Sequence, residues 1–331
     1  MLLTIVIAVY NIENYIEKCL SSVTNLMTKD IEIILVIGDS VDNSNNICKK
    51  YEEQYENIVI VRQNGKGLSN ARNCAFSVAN GKYIMFIDGD DCIISESLDD
   101  ILDKIRLLNR EIDVLITDFV TINNSGKTIA TSTQIKSDIN FIDDYNYLKK
   151  FMEQRGAFWN VWRYIYRRDF LLENNITFKE NVMAEDLDYV TQIFTSTKNI
   201  FFYHTPYYCY RRNRPNSLMN SNHIIRVKDV IANIQCSVKT LEKNTLFEYK
   251  DLMRNKFLFE YILNMVNIAE VSKEDRAEIK KSFASTLYLI NLQSYPFGKI
   301  IYNLIKNYGF EFIAYLLFIL KKIKDIKRYR L

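Results

Sequence analysis

Asp88, Asp90 and Asp91 fall within four positions of FIDGDD, directly behind the apolar run YIMF. Carboxylates this dense at the end of a buried strand fit two uses. They can hold a hard divalent cation, Mn2+ or Mg2+, through oxygen ligands that bridge to substrate phosphates. They can equally be acids of a solvated loop that cap the next helix, with Asp91 or Ser95 as the cap. A second acidic group, MAEDLDY, opens a helix whose inner face is Leu187, Val190 and Phe194. Glu185 and Asp186 at that N-terminus are favoured by the helix dipole whatever they do, and either could take a proton from a substrate hydroxyl as general base. NGKGLSNARNCA contributes Gly65 and Gly67, where backbone can approach a ligand closely, and Arg72, a planar cation near a helix start. It lacks the GxxxxGK[ST] pattern, and Asn70 stands at the third position of GxGxxG, so a plain turn into a helix is the competing reading.

These residues need elements to carry them, and the first ninety positions supply an alternation. Apolar runs at 3–10, 31–39, 57–63 and 82–88 are separated by segments with helical spacing, such as Ile16, Leu20 and Val23. That pattern predicts an α/β fold with a parallel sheet covered on both faces, extended by a run at 113–122. In such a sheet ligands bind beyond the carboxyl ends of the strands. Tyr10 and Asn11, Asp39, Gln63 and Asn64, and Asp88–Asp91 each follow a run directly, so the fold predicts their convergence along one edge.

Bulk properties narrow the classes. The 331 residues carry a net charge of +3, with no basic stripe interleaved with aromatics in the first two hundred, which argues against nucleic acid. Two histidines give poor support to a zinc site or a Ser–His–Asp triad. Six scattered cysteines without a CxxC pair suggest buried thiols in a reducing compartment. MLLTIVIAVY reads as a first strand rather than a signal peptide, and no run of eighteen apolar residues is present, so the expectation is a cytoplasmic protein.

Four stretches in this order, TIVIAVYNIENYIEKCLSSV, GLSNARNCAFSVANGKYIMFIDGDD, AEDLDYV and YCYRRNRPNSL, resemble the bacterial family 2 glycosyltransferases of GT-A fold that build capsular, exopolysaccharide or lipopolysaccharide chains. The resemblance covers roughly residues 1–217. It implies that Asp90 is the main ligand of Mn2+ or Mg2+, with Asp88 on the nucleotide side as its companion. It also implies Asp186 as the base, Glu185 beside it, and inversion at the anomeric carbon. Ala8, Tyr10, Asp39, Asn64, Arg72 and Asp88 match positions around a nucleotide sugar, and Arg212 and Arg214 are candidates for pairing with its diphosphate. Trp159 and Trp162 are candidates for the floor of an acceptor site, with a structural place in the core as the equal alternative. Two departures stand out. VIGDSVDNS has Ile37 and Gly38 where the family usually carries acids, which puts UDP recognition in question, and Ala8-Val9 replaces the usual proline.

After Gly156 glycine is scarce and the pattern becomes helical, so residues 1–217 are expected to form the catalytic domain and 218–331 a helical region. Segment 297–331 joins FIAYLLFIL to a basic end, six Lys or Arg against one Asp from Lys321 onward. This suits peripheral contact with the inner face of a cell membrane, where polyprenol-linked glycan acceptors reside, while a core helix or a homo-oligomer contact competes with that reading. The expected function is transfer of a hexose or N-acetylhexosamine from a nucleotide sugar to a glycan or lipid-linked glycan. A degenerate nucleotide-sugar-binding protein and a sugar-1-phosphate nucleotidyltransferase are the alternatives.

Overall fold

The computed structural model describes residues 1–25, 30–108, 111–132, 145–153, 158–197, 199–212, 214, 223–244, 249–268, 271–291 and 296–328. The expected domain boundary, in RRNRPNSLMN, falls mostly outside them. Two compact units emerge. One comprises Met1–Asn181 and Gln192–Ser217. The other comprises Val182–Thr191 and Leu218–Leu331. The ten residues carrying the acidic pair thus group with the helical unit, in contrast to the continuous 1–217 block expected, because their backbone is bonded to a helix of that unit.

The first unit begins as the apolar alternation requires. β1 (Leu3–Val9), α1 (Glu13–Thr24), β2 (Ile31–Ile37), α2 (Ser44–Gln54), β3 (Ile58–Arg62), α3 (Gly67–Phe76) and β4 (Tyr83–Asp88) form successive crossovers. Their strands pair in parallel in the order β3-β2-β1-β4. β1 and β2 are buried almost throughout because helices cover both faces of the sheet. Then follow β5 (Cys92–Ile93), α4 (Ser95–Leu107), β6 (Val114–Ile122), β7 (Thr128–Thr131), α5 (Tyr145–Glu153), β8 (Tyr164–Arg167), α6 (Arg168–Glu173), α7 (Glu185–Ser196), which belongs to this unit only from Gln192 on, and β9 (Ile200–Arg211). α4 buries Leu98, Ile101, Leu102 and Ile105, the one-face spacing of an amphipathic helix. The sheet continues as β4-β8-β6-β9-β5, with β7 on β6. β8 runs antiparallel to both its neighbours, while β9 is parallel to β6 and antiparallel to β5. The result is a mixed, mostly parallel sheet, in keeping with the sequence pattern.

One buried carboxylate, Glu32 on β2, locks the amino-terminal edge. It accepts from Thr4 Oγ1 (2.5 Å), Asn80 N (2.5 Å) and Gly81 N (3.0 Å). A β-carbon on Gly81 would lie 2.4 Å from Thr4 N, so only glycine allows this approach. Burial alone would raise the Glu32 pKa, but the bonds from Thr4, Asn80 and Gly81 outweigh it and hold the carboxyl below its ordinary 4.5. Glu32→Ala, which orphans these donors, is expected to cost about 3 kcal/mol at neutral pH. Because the folded pKa is depressed, the advantage of the native residue is present above 4.5 and lost as pH falls through the folded value. Urea unfolding of both proteins at neutral and acid pH checks this, and a gap that does not narrow in acid would contradict it.

The second unit consists, besides Val182–Thr191, of α8 (His223–Lys243), α9 (Lys250–Asn267), α10 (Lys273–Thr286), α11 (Tyr288–Asn291), α12 (Pro296–Tyr308) and α13 (Phe310–Arg328). Its interior holds Val230, Ile234, Phe257, Tyr261 and Phe283, and the buried Tyr261 hydroxyl donates to Phe283 O at 2.9 Å.

Candidate active site

The carboxyl ends of β1, β2, β3 and β4 bring the expected polar clusters onto one edge. Ala8 pairs with Asp88 across β1 and β4. Tyr10 is exposed, and a β-carbon on Gly38 would lie 3.3 Å from both Tyr10 Cδ2 and Gln63 Oε1. Asp39, also exposed, pairs with Arg62 on β3 at 2.8 Å. Asn64 Oδ1 accepts from Asn70 Nδ2 at 3.0 Å and from the Cys74 thiol at 3.1 Å.

The acidic turn begins where β4 ends. A β-carbon on Gly89 would meet Ile12 Cδ1 at 2.4 Å and Ala8 O at 2.9 Å, so glycine lets the turn press against the end of β1. The three carboxylates then part ways. Asp88 Oδ1 accepts from Arg72 at 3.1 Å. Asp90 Oδ2 lies 2.5 Å from Arg214 Nε, in an ion pair without hydrogen-bond alignment. Asp91 is buried and accepts from Tyr208 OH at 2.7 Å and Arg211 N at 2.6 Å. Burial, then the charges of Asp90 and Asp88, hold the Asp91 carboxyl well above the usual carboxylate range. Neither Asp91 nor Ser95 caps α4, whose preceding residue, Ile94, gives no side-chain cap.

Two residues, Arg72 and Trp162, are packed away from the open positions expected of them, while Trp159 and Arg212 keep accessible surface. Arg72 is buried, 5.1 Å from the Phe178 ring, and its guanidinium is turned to Asp88 rather than to an open pocket. Trp162 is 1% exposed, stacked 4.3 Å from the Tyr208 ring and flanked by Tyr210 and Phe119. It has no free face for an acceptor sugar; it fills the core beneath the residues that hold Asp91. Trp159 is half-buried, edge-on to Phe158 at 4.8 Å. Arg212 is exposed, 5.9 Å from the Tyr210 ring.

Arg211 is the residue the sequence reading missed. Its Nε donates to Asp90 O at 2.8 Å and its Nη1 to Asn123 O and Asn124 O, which ties the acidic turn to the end of β6. Its guanidinium lies 5.2 Å from the Tyr15 ring, and that of Arg214 lies 5.9 Å from the same ring. Two of the carboxylates, Asp88 and Asp90, are thus paired with guanidiniums, Arg72 and Arg214, while the Arg211 guanidinium grips backbone carbonyls and its own backbone N meets Asp91. The run of three arginines between 211 and 214 was a signal, but nothing local distinguishes a buried member from an exposed one.

The segment before the second acidic group is fixed from α3. Asn73 Oδ1 accepts from Phe178 N at 3.0 Å, and Asn70 and Asn73 both donate to Glu180 at 3.1 Å. In the helical unit Glu185 and Asp188 are buried in the first turn of α7, where the dipole favours negative charge.

A divalent cation fits part of this donor set. Asp88 and Asp90 keep 28% and 20% of their side-chain surface, while Asp91 is committed to Tyr208 and backbone. Among the described residues no group of three or more acids, histidines or cysteines could hold a metal by itself. A hard cation at a phosphate site takes only one or two protein carboxylates and completes its shell with phosphates and water, which Asp88 and Asp90 can satisfy.

The fold and its acidic edge have the arrangement of the GT-A class. The chain belongs to glycosyl transferase family 2, whose family model matches residues 4–180. It is 30% identical to the uncharacterized glycosyltransferase EpsJ of Bacillus subtilis over 66% of this chain and 62% of that protein. It is 28% identical to the poly(ribitol-phosphate) beta-glucosyltransferase of Bacillus spizizenii over 88% of this chain and 45% of that one. The chain thus spans less than two thirds of the length of these relatives. In fold it is similar to S. aureus TarS 1-349, solved in complex with UDP-GlcNAc, with a TM-score of 0.77 at 18% identity over 95% of this chain and 90% of that one. A more distant likeness, TM-score 0.52 at 12% identity over 97% and 87% of the two chains, is to the mannosyltransferase PcManGT of Pyrobaculum calidifontis in complex with GDP-Man and Mn2+.

Proposed function

We propose that this glycosyltransferase is metal-dependent and inverting, and moves a hexose or N-acetylhexosamine from a UDP-sugar to a glycan or lipid-linked glycan in surface polysaccharide assembly. The observation that carries the reading is the acidic turn at the end of β4, with Asp88 and Asp90 partly open and guanidiniums beside them. The UDP-GlcNAc held by TarS and the glucosyl transfer named for the Bacillus spizizenii relative favour a UDP-sugar. A cation held by Asp88 and Asp90 would stabilise the charge developing on the leaving diphosphate. Arg214 can exchange Asp90 for a diphosphate oxygen, and Arg212 is exposed enough to join it. Tyr10, Asn64 and Asp39 are assigned to the nucleotide, and Trp159 to the acceptor side. Asp186 takes the proton of the acceptor hydroxyl, whose oxygen bonds to the anomeric carbon as the bond to the diphosphate breaks. An α-linked donor then gives a β-linked product.

A panel of UDP-, GDP- and TDP-sugars with Mn2+, read by nucleotide release, tests this. UDP released from one donor and stopped by EDTA is the expected result. Release unaffected by EDTA removes the metal, and release from none of the donors removes the donor class.

The reading extends to a lipid surface. Phe312, Tyr315, Leu316, Ile319 and Leu320 are exposed along one face of α13, while Ile313 and Ala314 are buried. The sequence from Lys321 to Leu331 adds a net charge of +5, and anionic lipid attracts such a segment by about 1 kcal/mol per basic residue. Among the described residues no helix is long and apolar enough to cross a membrane. Flotation with vesicles containing phosphatidylglycerol, but not with phosphatidylcholine alone, is expected, and Leu316→Glu with Leu320→Glu should lower the bound fraction at least about fivefold. Equal flotation on both lipids, or none, would remove the membrane from the proposal.

A further inference from the structure

Asp229, Asn233 and Ser237 recur at four-residue spacing on α8 and so share one of its faces. All three are bonded to the segment that opens α7, within the same compact unit. Asp229 Oδ2 accepts from Met183 N at 2.8 Å. Asn233 Nδ2 donates to Met183 O at 3.0 Å and to Ala184 O at 3.1 Å. Ser237 Oγ donates to Asp188 Oδ1 at 3.4 Å. Asn233 and Ser237 are fully buried, and Asp188 is nearly so.

Between these contacts lies a strained residue. Ala184 has φ +57°, the left-handed region that a β-carbon disfavours, and it immediately precedes Glu185. A non-glycine residue persists there when its surroundings over-determine it. Residues 182–184 read Val-Met-Ala, so neither glycine nor proline sets the turn from within. One buried amide gripping two successive carbonyls, with a carboxylate gripping the amide before them, supplies the constraint. An apolar stripe could seat α8 equally well; buried polar groups add direction, since each must meet its partner at hydrogen-bond distance.

We propose that α8 is a positioning element for the acidic pair: Asn233, seconded by Asp229, imposes the left-handed turn at Ala184 that sets how Glu185 and Asp186 leave the chain. This rests on the reading of Asp186 as the base.

The test compares Asn233→Ala and Asn233→Asp with the native protein. The second variant keeps the shape but turns a donor into an acceptor facing two carbonyls. Hydrogen–deuterium exchange across Met183–Leu187 is expected to be about tenfold faster or more in both. UDP release from UDP-GlcNAc or UDP-glucose should lose about thirtyfold in kcat with donor KM within about twofold. Calorimetry with UDP and Mn2+ should show an unchanged binding stoichiometry. In the Asn233→Ala background, Ala184→Gly should restore part of kcat, because glycine takes a positive φ without the clamp. Should Asn233→Ala fail to fold, Asn233→Ser, which keeps one donor, should give an intermediate loss. Unchanged exchange overturns the proposal, as does a kcat loss that merely follows lost UDP stoichiometry. Faster exchange with turnover intact also overturns it. Asp186→Asn in parallel then shows whether the base assignment itself has failed, which an active Asp186→Asn would reveal.

Discussion

Asp90→Ala is expected to lower sugar transfer by about a thousandfold or more while leaving the fold in place. The expectation rests on how differently the three acids of the turn are used. The Asp90 carboxylate keeps a fifth of its side-chain surface and, among the described residues, is paired with Arg214. Both side chains are largely covered, so losing the pair is expected to cost about 1–3 kcal/mol, which the unfolding control measures. A cation there would lose one of its two carboxylates, and Asp88, which also accepts from the buried Arg72, would be left to hold it alone. Asp91→Ala would be a poor probe of the same question. It orphans the buried Tyr208 hydroxyl and Arg211 N, so about 3 kcal/mol of stability would go with any activity. The measurement is UDP release against Mn2+ concentration, with urea unfolding as control. A variant that keeps a tenth of native turnover with the same Mn2+ response would remove Asp90 from the metal site.

Asp186→Asn is expected to reduce kcat by roughly a hundred- to ten-thousandfold, with donor KM nearly unchanged. The amide preserves shape and cannot accept the hydroxyl proton. Glu185 is the internal comparison, because it shares the first turn of α7 and the same dipole. Glu185→Gln should cost less than about tenfold if its buried carboxylate only supports the turn. Steady-state kinetics with a saturating acceptor distinguishes the two. If the larger loss follows Glu185→Gln, the roles are exchanged. If neither variant loses turnover, the base lies elsewhere.

Much of this protein could be read directly from residue order. The alternation of apolar runs with helical spacing fixes β1 to β4, since a run buried on both faces has few other places to go. The polar residues that end those runs had to share an edge, so Tyr10, Asp39, Asn64 and Asp88 were found together before any pairing was known. Asn233 and its neighbours on α8 were equally present as a four-residue polar repeat, unnoticed for want of a partner.

What could not be read was which group meets which. Tyr208 reaches Asp91 across 117 positions and Arg211 Nε reaches Asp90 O across 121, through the pairing of β5 with β9. Arg72 matches a nucleotide-pocket position and Trp162 fits either an acceptor floor or the core, and packing buries both of them. The acidic pair at 185 and 186 stands in sequence inside the expected catalytic block, yet the backbone just before it, at Met183 and Ala184, is held by α8. Periodicity records which side of an element avoids water, a property of each short segment alone. The partner of a buried charge depends on strand order and helix seating, and these are settled only when distant segments compete for the same donors and the same core.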